Sequence, residues 1–217
     1  MLEQMSDFFT ARADIYDNHM LNCVKGCKEG YAEMAKLIPK DTKKLLDLGC
    51  GTGLELDEIF KRFPDLYVTG IDLTKAMLDK LSEKHPDKNL TLINASYFDY
   101  DFGNKSFDTA ISFQTMHHFT HEAKIGLYKN IYDSLKSNGK YIECDYMVES
   151  QEDEDFYFNE NQRLRKELNI PDGEFYHYDT PCTISNQVDM LKQAGFKNVR
   201  KVWHIECTTI VIAEKTD

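Results

Sequence analysis

Three glycines within five residues are the part of the chain that points most directly to chemistry. Gly49, Gly51 and Gly53 follow an apolar segment at residues 44–48, and a helical pattern of apolar residues begins at Leu54. Glycine has no Cβ, so the backbone of such a loop can approach a ligand closely. The helix beyond it offers free N–H groups and a partial positive charge at its first turn. The segment therefore predicts a strand, a ligand-binding loop and a helix N-terminus.

The spacing of these glycines separates two classes of nucleotide ligand. The dinucleotide-binding fingerprint, G-x-G-x-x-G, requires its third glycine at position 54, which is Leu54. Here the third glycine is Gly53, and an acid, Asp47, precedes the first. This Asp-x-Gly-x-Gly-x-Gly pattern resembles motif I of the class I S-adenosylmethionine (SAM)-dependent methyltransferases, in which the loop wraps the methionine and ribose parts of SAM. The resemblance implies cofactor contacts at Asp47, Gly49, Cys50, Gly51 and Gly53.

A second acid, Asp72, lies at the end of the next predicted strand, residues 66–73. It lies about 20 residues beyond the glycine loop, where the acid of analogous nucleotide sites accepts hydrogen bonds from the ribose hydroxyls. Thr74 is the predicted N-cap of the following helix, which leaves Asp72 free for this role. Leu73 and Met77 are expected to flank the adenine.

The resemblance implies further cofactor contacts at three other places. In the family, the junction after the third strand usually carries an acid and a small residue that contact the adenine edge. Here the acid is replaced by Asn94, followed by Ala95 and Ser96, and an amide can still donate to and accept from adenine. Gln114 ends the fourth predicted strand and would contact the methionine part of SAM. Tyr16, in a leader that folds over the cofactor in relatives, would face the same part.

Histidines at two places are candidates to take a proton from a methyl acceptor, because imidazole titrates near neutral pH. His117 and His118 follow the fourth strand, and ligands bind beyond the carboxyl ends of parallel strands. His177 lies in an aromatic segment and is the alternative base. Asp145, at the end of the fifth strand, is a candidate to orient the acceptor or assist proton removal. Helix capping or packing is the alternative role for the paired histidines, and packing for His177.

The order of strands and helices predicts an α/β fold. Residues 3–38 are expected to be helical, and a helix at 122–135 is expected to stop at a Gly139 cap before a strand at 140–146. The resemblance implies a Rossmann-like three-layer sandwich with a seven-stranded mixed sheet, an antiparallel last strand and helical caps. We expect a single domain, 1–217, with a helical lid at 1–39, the core at 40–146 and 182–217, and a substrate-cap insertion at 147–181.

Composition bears on partners and compartment. The 217 residues include 26 Lys and Arg against 37 Asp and Glu, a net charge of −11, which disfavours nucleic-acid binding. No apolar run approaches the roughly 20 residues that span a bilayer, and residues 1–9 do not resemble a signal peptide. Only Cys23 and Cys27 lie close in sequence, with no further ligands nearby. We therefore expect a cytoplasmic protein with free thiols, no membrane partner and no bound metal.

Together these features predict an enzyme that transfers a methyl group from SAM to a small-molecule acceptor and releases S-adenosylhomocysteine (SAH). It is expected to act as a monomer or a homodimer. One alternative is a SAM-binding protein of another reaction class, or a binder that does not catalyse. A less favoured alternative is a nicotinamide-dependent oxidoreductase, which Leu54 in place of the third glycine argues against.

Overall fold

The computed structural model describes residues 2–216. Its helices are α1 (Met5–Arg12), α2 (Tyr16–Asn22), α3 (Cys27–Leu37), α4 (Leu54–Arg62), α5 (Lys75–Lys84), α6 (His121–Ser134), α7 (Gln151–Glu167) and α8 (Ile184–Gln193), with a 3₁₀ helix at Met116–His118. Its strands are β1 (Lys44–Leu48), β2 (Tyr67–Asp72), β3 (Asn89–Asn94), β4 (Phe107–Phe113), β5 (Leu135–Val148), β6 (Cys182–Thr183), β7 (Lys197–Ile205) and β8 (Thr208–Glu214). None of the helices within this range has the length and apolar character that crossing a membrane requires.

The strands form one mixed sheet in the order β3-β2-β1-β4-β5-β8-β7. The first five strands run parallel to one another, whereas β8 is antiparallel to both of its neighbours, β5 and β7. The two-residue strand β6 pairs separately with the end of β5. The predicted seven-stranded Rossmann-like sheet with an antiparallel last strand is therefore confirmed, with β6 as a short addition.

Strand β1 shows why the sheet is buried on both faces. Leu46 and Leu48 face one apolar cluster, which includes Leu127 of α6, while Leu45 faces a second cluster, which includes Leu56 of α4. Successive side chains of a strand point to opposite faces, so a continuous apolar run suits a strand that helices cover on both sides.

The N-terminal segment differs from the single helix predicted over residues 3–38. It forms three helices, and the break before α3 lies at Gly26, whose φ is 85°. A Cβ at Gly26 would lie 3.0 Å from atoms of Ile205 and Thr208. The chain bends there because a glycine lets it take a left-handed conformation against β7 and β8. The lid and insertion boundaries stay predictions.

Strand β5 begins directly after α6 rather than at residue 140, which corrects the predicted glycine cap. Asn138, not Gly139, takes the left-handed conformation, with φ of 62°. Gly139 is required for a different reason, since a Cβ there would lie only 2.8 Å from the carbonyl oxygen of Lys136. The helix thus ends in an extended Leu135, and the tight turn lies inside the strand.

Candidate active site

The carboxyl ends of β1, β2 and β4 border a cavity of about 620 Å³. This volume includes the open space at the mouth of the cavity. The cavity brings together residues from α2, α5 and four separate strand ends. Nine of the predicted cofactor residues line it: Tyr16, Gly49, Gly51, Asp72, Leu73, Met77, Ala95, Ser96 and Gln114.

The glycine loop forms one wall of this cavity. Gly49, Gly51 and Gly53 all have left-handed backbones, with φ of 67°, 48° and 76°. A Cβ at Gly49 would lie 2.5 Å from Thr115 Oγ1, and one at Gly53 would overlap the side chain of Leu81. At Gly51, by contrast, the nearest atom to a built Cβ is 3.9 Å away. The loop is therefore a cradle that needs glycine, and it leaves space for a ligand above Gly51.

Asp72 links the loop to the start of α5. Its Oδ2 accepts a hydrogen bond from Gly51 N at 2.9 Å, and its Oδ1 accepts one from Thr74 N at 2.7 Å. Thr74 is the N-cap residue of α5, as predicted, but its side chain makes no capping hydrogen bond, and the expectation that Asp72 is left free was wrong. Burial raises the pKa of Asp72 to about 6, although both N–H donors oppose that rise. A carboxylate has about four acceptor positions, so two remain for a ligand.

Four of the predicted cofactor residues do not line the cavity: Asp47, Cys50, Gly53 and Asn94. Asp47 is buried, and burial raises its pKa to about 7, with the neighbouring Glu55 carboxyl opposing the rise and the charge of Asp72 adding to it. The Cys50 side chain lies in an apolar cluster. The exposed amide of Asn94 donates to the carbonyl oxygens of Asp72 and Leu73 at 3.1 and 2.9 Å. These residues thus support the loop and the strand ends.

Aromatic side chains form another part of the cavity wall. Phe98 lies 4.7 Å from Phe119 and 5.6 Å from Phe175, measured between ring centroids. Tyr97 shares a 2.9 Å hydrogen bond with Thr115 Oγ1. Phe175 comes from the insertion after β5, far along the chain from the others. Its place in the wall depends on tertiary structure, so no local pattern signals it.

A second, wider cavity, about 1410 Å³ including the space at its mouth, adjoins the first. Phe9, Tyr16, Gln114 and His118 line both cavities. Residues of α1 and α2 contribute one side of the second cavity, among them Arg12. The two cavities therefore meet at a shared group of side chains beside the end of β4.

The N-terminal helices contact the insertion after β5. Met5 N donates to Phe175 O at 3.0 Å, and His177 N donates to Glu3 O at 2.9 Å. The Phe8 ring stacks on the His177 imidazole with centroids 3.6 Å apart. The two segments predicted to form a lid and a cap thus enclose the second cavity together.

The predicted catalytic residues His117, His118, His177 and Asp145 lie in one cluster, with Asp179 at its centre. His117 Nδ1 donates to Asp145 Oδ1 at 2.5 Å. Asp179 Oδ1 lies 3.5 Å from His117 Nε2, 3.5 Å from His118 Nδ1 and 3.9 Å from His177 Nε2. The sequence analysis missed Asp179. The available signal was an acid two residues after His177, in a segment that the sequence alone does not place on the sheet.

The imidazoles of the cluster differ in protonation. Burial alone would lower the pKa of His117, but Asp145 and Asp179 outweigh it and raise that pKa to about 10. Burial, together with the charge of His117, holds the pKa of His118 well below its ordinary value. Burial likewise lowers the pKa of His177. Near neutral pH, His117 is therefore the protonated imidazole of this cluster.

Comparison with known proteins finds sequences and structures that are similar to this chain. A family profile described as a methyltransferase domain matches residues 45–139. The carboxy-S-adenosyl-L-methionine synthase of Nautilia profundicola is 26% identical over 229 residues, covering 93% of this chain and 91% of that protein. The cycloartenol-C-24-methyltransferase of Arabidopsis thaliana is 29% identical over 160 residues, covering 71% of this chain but only 45% of that protein.

A solved structure shows the same fold. Human N-acetylserotonin methyltransferase, crystallised in complex with SAM, superposes with a TM-score of 0.65 at 15% identity, covering 97% of this chain and 55% of that one. At this level of identity the comparison supports the fold alone. The profile match, by contrast, includes the glycine loop, the Asp72 strand end and the turn with the paired histidines.

Proposed function

We propose that the chain is a class I SAM-dependent methyltransferase, on its similarity to proteins of that kind, and that it transfers a methyl group from SAM to a small-molecule acceptor. The observation that carries the proposal is the junction of the two cavities, where Tyr16, Gln114 and His118 line both. A cofactor in the first cavity and an acceptor in the second would meet at these side chains. SAM supplies an electrophilic methyl group, and holding the nucleophile in line with it can account for much of the rate enhancement.

The first cavity has the parts that SAM requires. We assign Asp72 to the ribose hydroxyls, because it lines the cavity and keeps unused acceptor positions beside Gly51. The glycine loop offers backbone close to the ligand, and Leu73 and Met77 flank the adenine in this proposal. Asp47, Cys50, Gly53 and Asn94 contribute indirectly, by supporting the loop and the ends of β2 and β3.

The second cavity suits a small acceptor with an apolar body and a polar group. Its wall includes Phe8, Ile15 and Met20, while its polar side is the histidine cluster. A net charge of −11 disfavours a nucleic-acid acceptor. The cytoplasmic location and the monomeric or dimeric state stay predictions from the sequence.

The residues of the histidine cluster take different parts in this proposal. His118 faces the methyl-transfer position, because it lines both cavities, whereas His117 and His177 line the second cavity. Asp145 lines neither cavity, and its contact with His117 Nδ1 makes it a positioning residue rather than a group that touches the acceptor. Asp179 joins the set because its carboxylate faces all three imidazoles.

A second candidate function comes from the Nautilia relative. The match spans 93% of this chain and 91% of that protein, whose name describes synthesis of carboxy-SAM. In that case SAM would be modified rather than consumed as a methyl donor. This possibility corresponds to the alternative of a SAM-binding protein with another reaction class.

Mass spectrometry of the reaction products separates the two functions. The purified protein is incubated with SAM and a panel of small phenols, thiols and amines, and separately with SAM and small carboxylic acids. Methyl transfer predicts SAH together with a methylated acceptor, both lost in Asp72→Ala and kept in Asp87→Ala, a control at an exposed acid. Formation of a carboxylated SAM without SAH would replace the first proposal by the second.

A further inference from the structure

Three side-chain atoms of the histidine cluster have the spacing of metal ligands. His117 Nε2, His118 Nδ1 and Asp179 Oδ1 all lie within 4.8 Å of one another. The carboxylate oxygen is 3.5 Å from each of the two nitrogens. Ligands around a tetrahedral zinc ion, with bonds of about 2.0–2.1 Å, are separated by about 3.4 Å. The two oxygen-to-nitrogen distances match this separation closely.

We propose that His117, His118 and Asp179 bind one divalent transition-metal ion, with Zn²⁺ as the best fit. Two imidazole nitrogens and one carboxylate oxygen suit zinc and its neighbours in the first row, whereas Mg²⁺ and Ca²⁺ prefer all-oxygen sets. Three protein ligands leave one coordination position open, as in catalytic rather than structural zinc sites. All three residues line the second cavity, so the open position faces the acceptor.

The state of the Asp179 carboxylate supports this assignment. Its Oδ1 is shielded from solvent and has no hydrogen-bond partner among the described residues. The three facing nitrogens lie at 3.5–3.9 Å, which exceeds the range of good hydrogen bonds. A buried carboxylate oxygen without a close partner is costly. A bound cation would remove that cost. The protonated His117 does not remove it, because its Nε2 lies 3.5 Å from Asp179 Oδ1.

The surroundings of the ligands orient one of them for a metal. His117 donates from Nδ1 to Asp145 Oδ1 at 2.5 Å, so Nε2, which faces Asp179, is the nitrogen that a metal ion would take, displacing the proton on it. Asp145 Oδ1 is itself held by Tyr146 N at 2.9 Å. A carboxylate behind a ligating histidine is the usual support of a zinc ligand. His118 Nδ1 has only a long contact, 3.3 Å to Tyr178 O, which metal ligation would replace.

The ion would also narrow the class of acceptor, a step that rests on the proposed function. An alcohol or thiol that binds the open position loses its proton to solvent, because a metal lowers the pKa of the group it coordinates. The lone pair of that oxygen or sulfur then forms the bond to the methyl carbon. The bond from that carbon to the sulfonium breaks, and its electrons stay on the sulfur of SAH. The acceptor class is therefore a phenol, alcohol or thiol.

A second cluster in the described part of the chain, His121, Glu154 and Cys182, has similar spacing, but each member already has a close partner of its own. Glu154 Oε1 lies 2.8 Å from His121 Nε2, and the same carboxylate accepts from Asn186. Cys182 Sγ accepts from the buried Lys124 Nζ at 3.1 Å. A cation there would displace existing contacts, so this cluster provides the matched control.

The test is a calorimetric titration of chelator-treated protein with Zn²⁺, repeated with Co²⁺ to record its visible absorption bands. Wild type is expected to bind one ion with tetrahedral-type Co²⁺ bands. Asp179→Asn and His118→Ala are expected to weaken Zn²⁺ binding more than about 100-fold, and Asp145→Asn is expected to weaken it about 10- to 100-fold. The control variant, His121→Ala, is expected to bind Zn²⁺ as wild type does. Circular dichroism verifies that each variant is folded. Unchanged Zn²⁺ affinity in Asp179→Asn, or loss of binding in His121→Ala, overturns the proposed site.

A second comparison separates this inference from the proposed function. SAM affinity and methyl transfer to the phenol and thiol panel are measured with metal-free and Zn²⁺-loaded protein. Retained SAM binding with transfer that depends on Zn²⁺ supports the catalytic role of the ion. Equal transfer without the metal overturns that role and leaves the proposed function intact. Absence of SAM binding in both forms overturns the proposed function instead, while the Zn²⁺ titration still decides whether the ion binds.

Discussion

Replacing Asp72 is the substitution whose effect on SAM binding follows most directly from the geometry. Its two carboxylate oxygens each accept one backbone N–H, from Gly51 at 2.9 Å and from Thr74 at 2.7 Å. Two acceptor positions remain for the two ribose hydroxyls. Asp72→Ala removes both, and it also frees the Gly51 N–H that holds the glycine loop in place.

Hydrogen bonds to a charged group contribute about 1.5–3 kcal/mol, so Asp72→Ala should weaken SAM about 10- to 150-fold. Asp72→Asn is not a neutral replacement, because its NH₂ group must face one of the two backbone N–H donors. We expect it to weaken SAM as well, by about 10-fold. Since the pKa of Asp72 is raised to about 6, the affinity of wild type should fall as the pH drops below about 6. Asp72→Ala should lack that fall.

The assay is isothermal titration calorimetry with SAM between about pH 5 and pH 8, using Asp87→Ala as the control at an exposed acid. Thermal unfolding followed by circular dichroism establishes that each variant is folded. A folded Asp72→Ala protein that binds SAM as tightly as wild type would refute the ribose assignment. A pH profile unchanged by the substitution would remove Asp72 as the group that titrates.

Two further substitutions test the glycine loop and the buried acid beneath it. Gly49→Ala places a Cβ 2.5 Å from Thr115 Oγ1 in a residue with φ of 67°. Denaturant unfolding should therefore show a free energy of unfolding about 1–3 kcal/mol below that of wild type, and calorimetry should show weaker SAM binding. Gly126→Ala is the control, because Gly126 lies on an exposed helix face and a built Cβ there has no atom within 4 Å. This substitution should raise the free energy of unfolding by about 0.5–1 kcal/mol. Equal stability of the two variants would contradict the steric argument. Asp47 has a pKa raised to about 7, so its contribution to stability is full below about pH 4 and is lost as the pH rises through about 7. Asp47→Asn should therefore become more stable relative to wild type between about pH 5 and pH 8, and a difference in unfolding free energy that is constant with pH would contradict this.

The lining of the first cavity was largely predictable because its signals are local. The glycine loop joins a strand and a helix that are adjacent in sequence, and Asp72 ends the next strand. Parallel strands bring their carboxyl ends together, so these residues converge once the strand order is known. The error at Thr74 was also local: the threonine side chain makes no capping hydrogen bond, and the backbone N–H of Thr74 donates to Asp72.

The complete histidine cluster was not predictable, because its central residue reaches the sheet through tertiary contacts. The segment that carries Asp179 is fastened by Thr180, whose Oγ1 donates to His117 O at 2.9 Å. Pairing of Cys182 with Met147 then fixes the segment beside β5. Neither contact leaves a periodic pattern in the sequence. The break at Gly26 was missed for a related reason, since that glycine is needed only where β7 and β8 pass.

Calorimetric titration of the wild-type protein with SAM, SAH and NAD tests the central claim most directly. We expect SAM and SAH to bind with dissociation constants of about micromolar and to compete for one site. NAD should produce no binding heat, because the loop has Leu54 where a dinucleotide fingerprint has its third glycine. Binding of NAD without binding of SAM or SAH would contradict the assignment of the first cavity and, with it, the proposed methyl transfer.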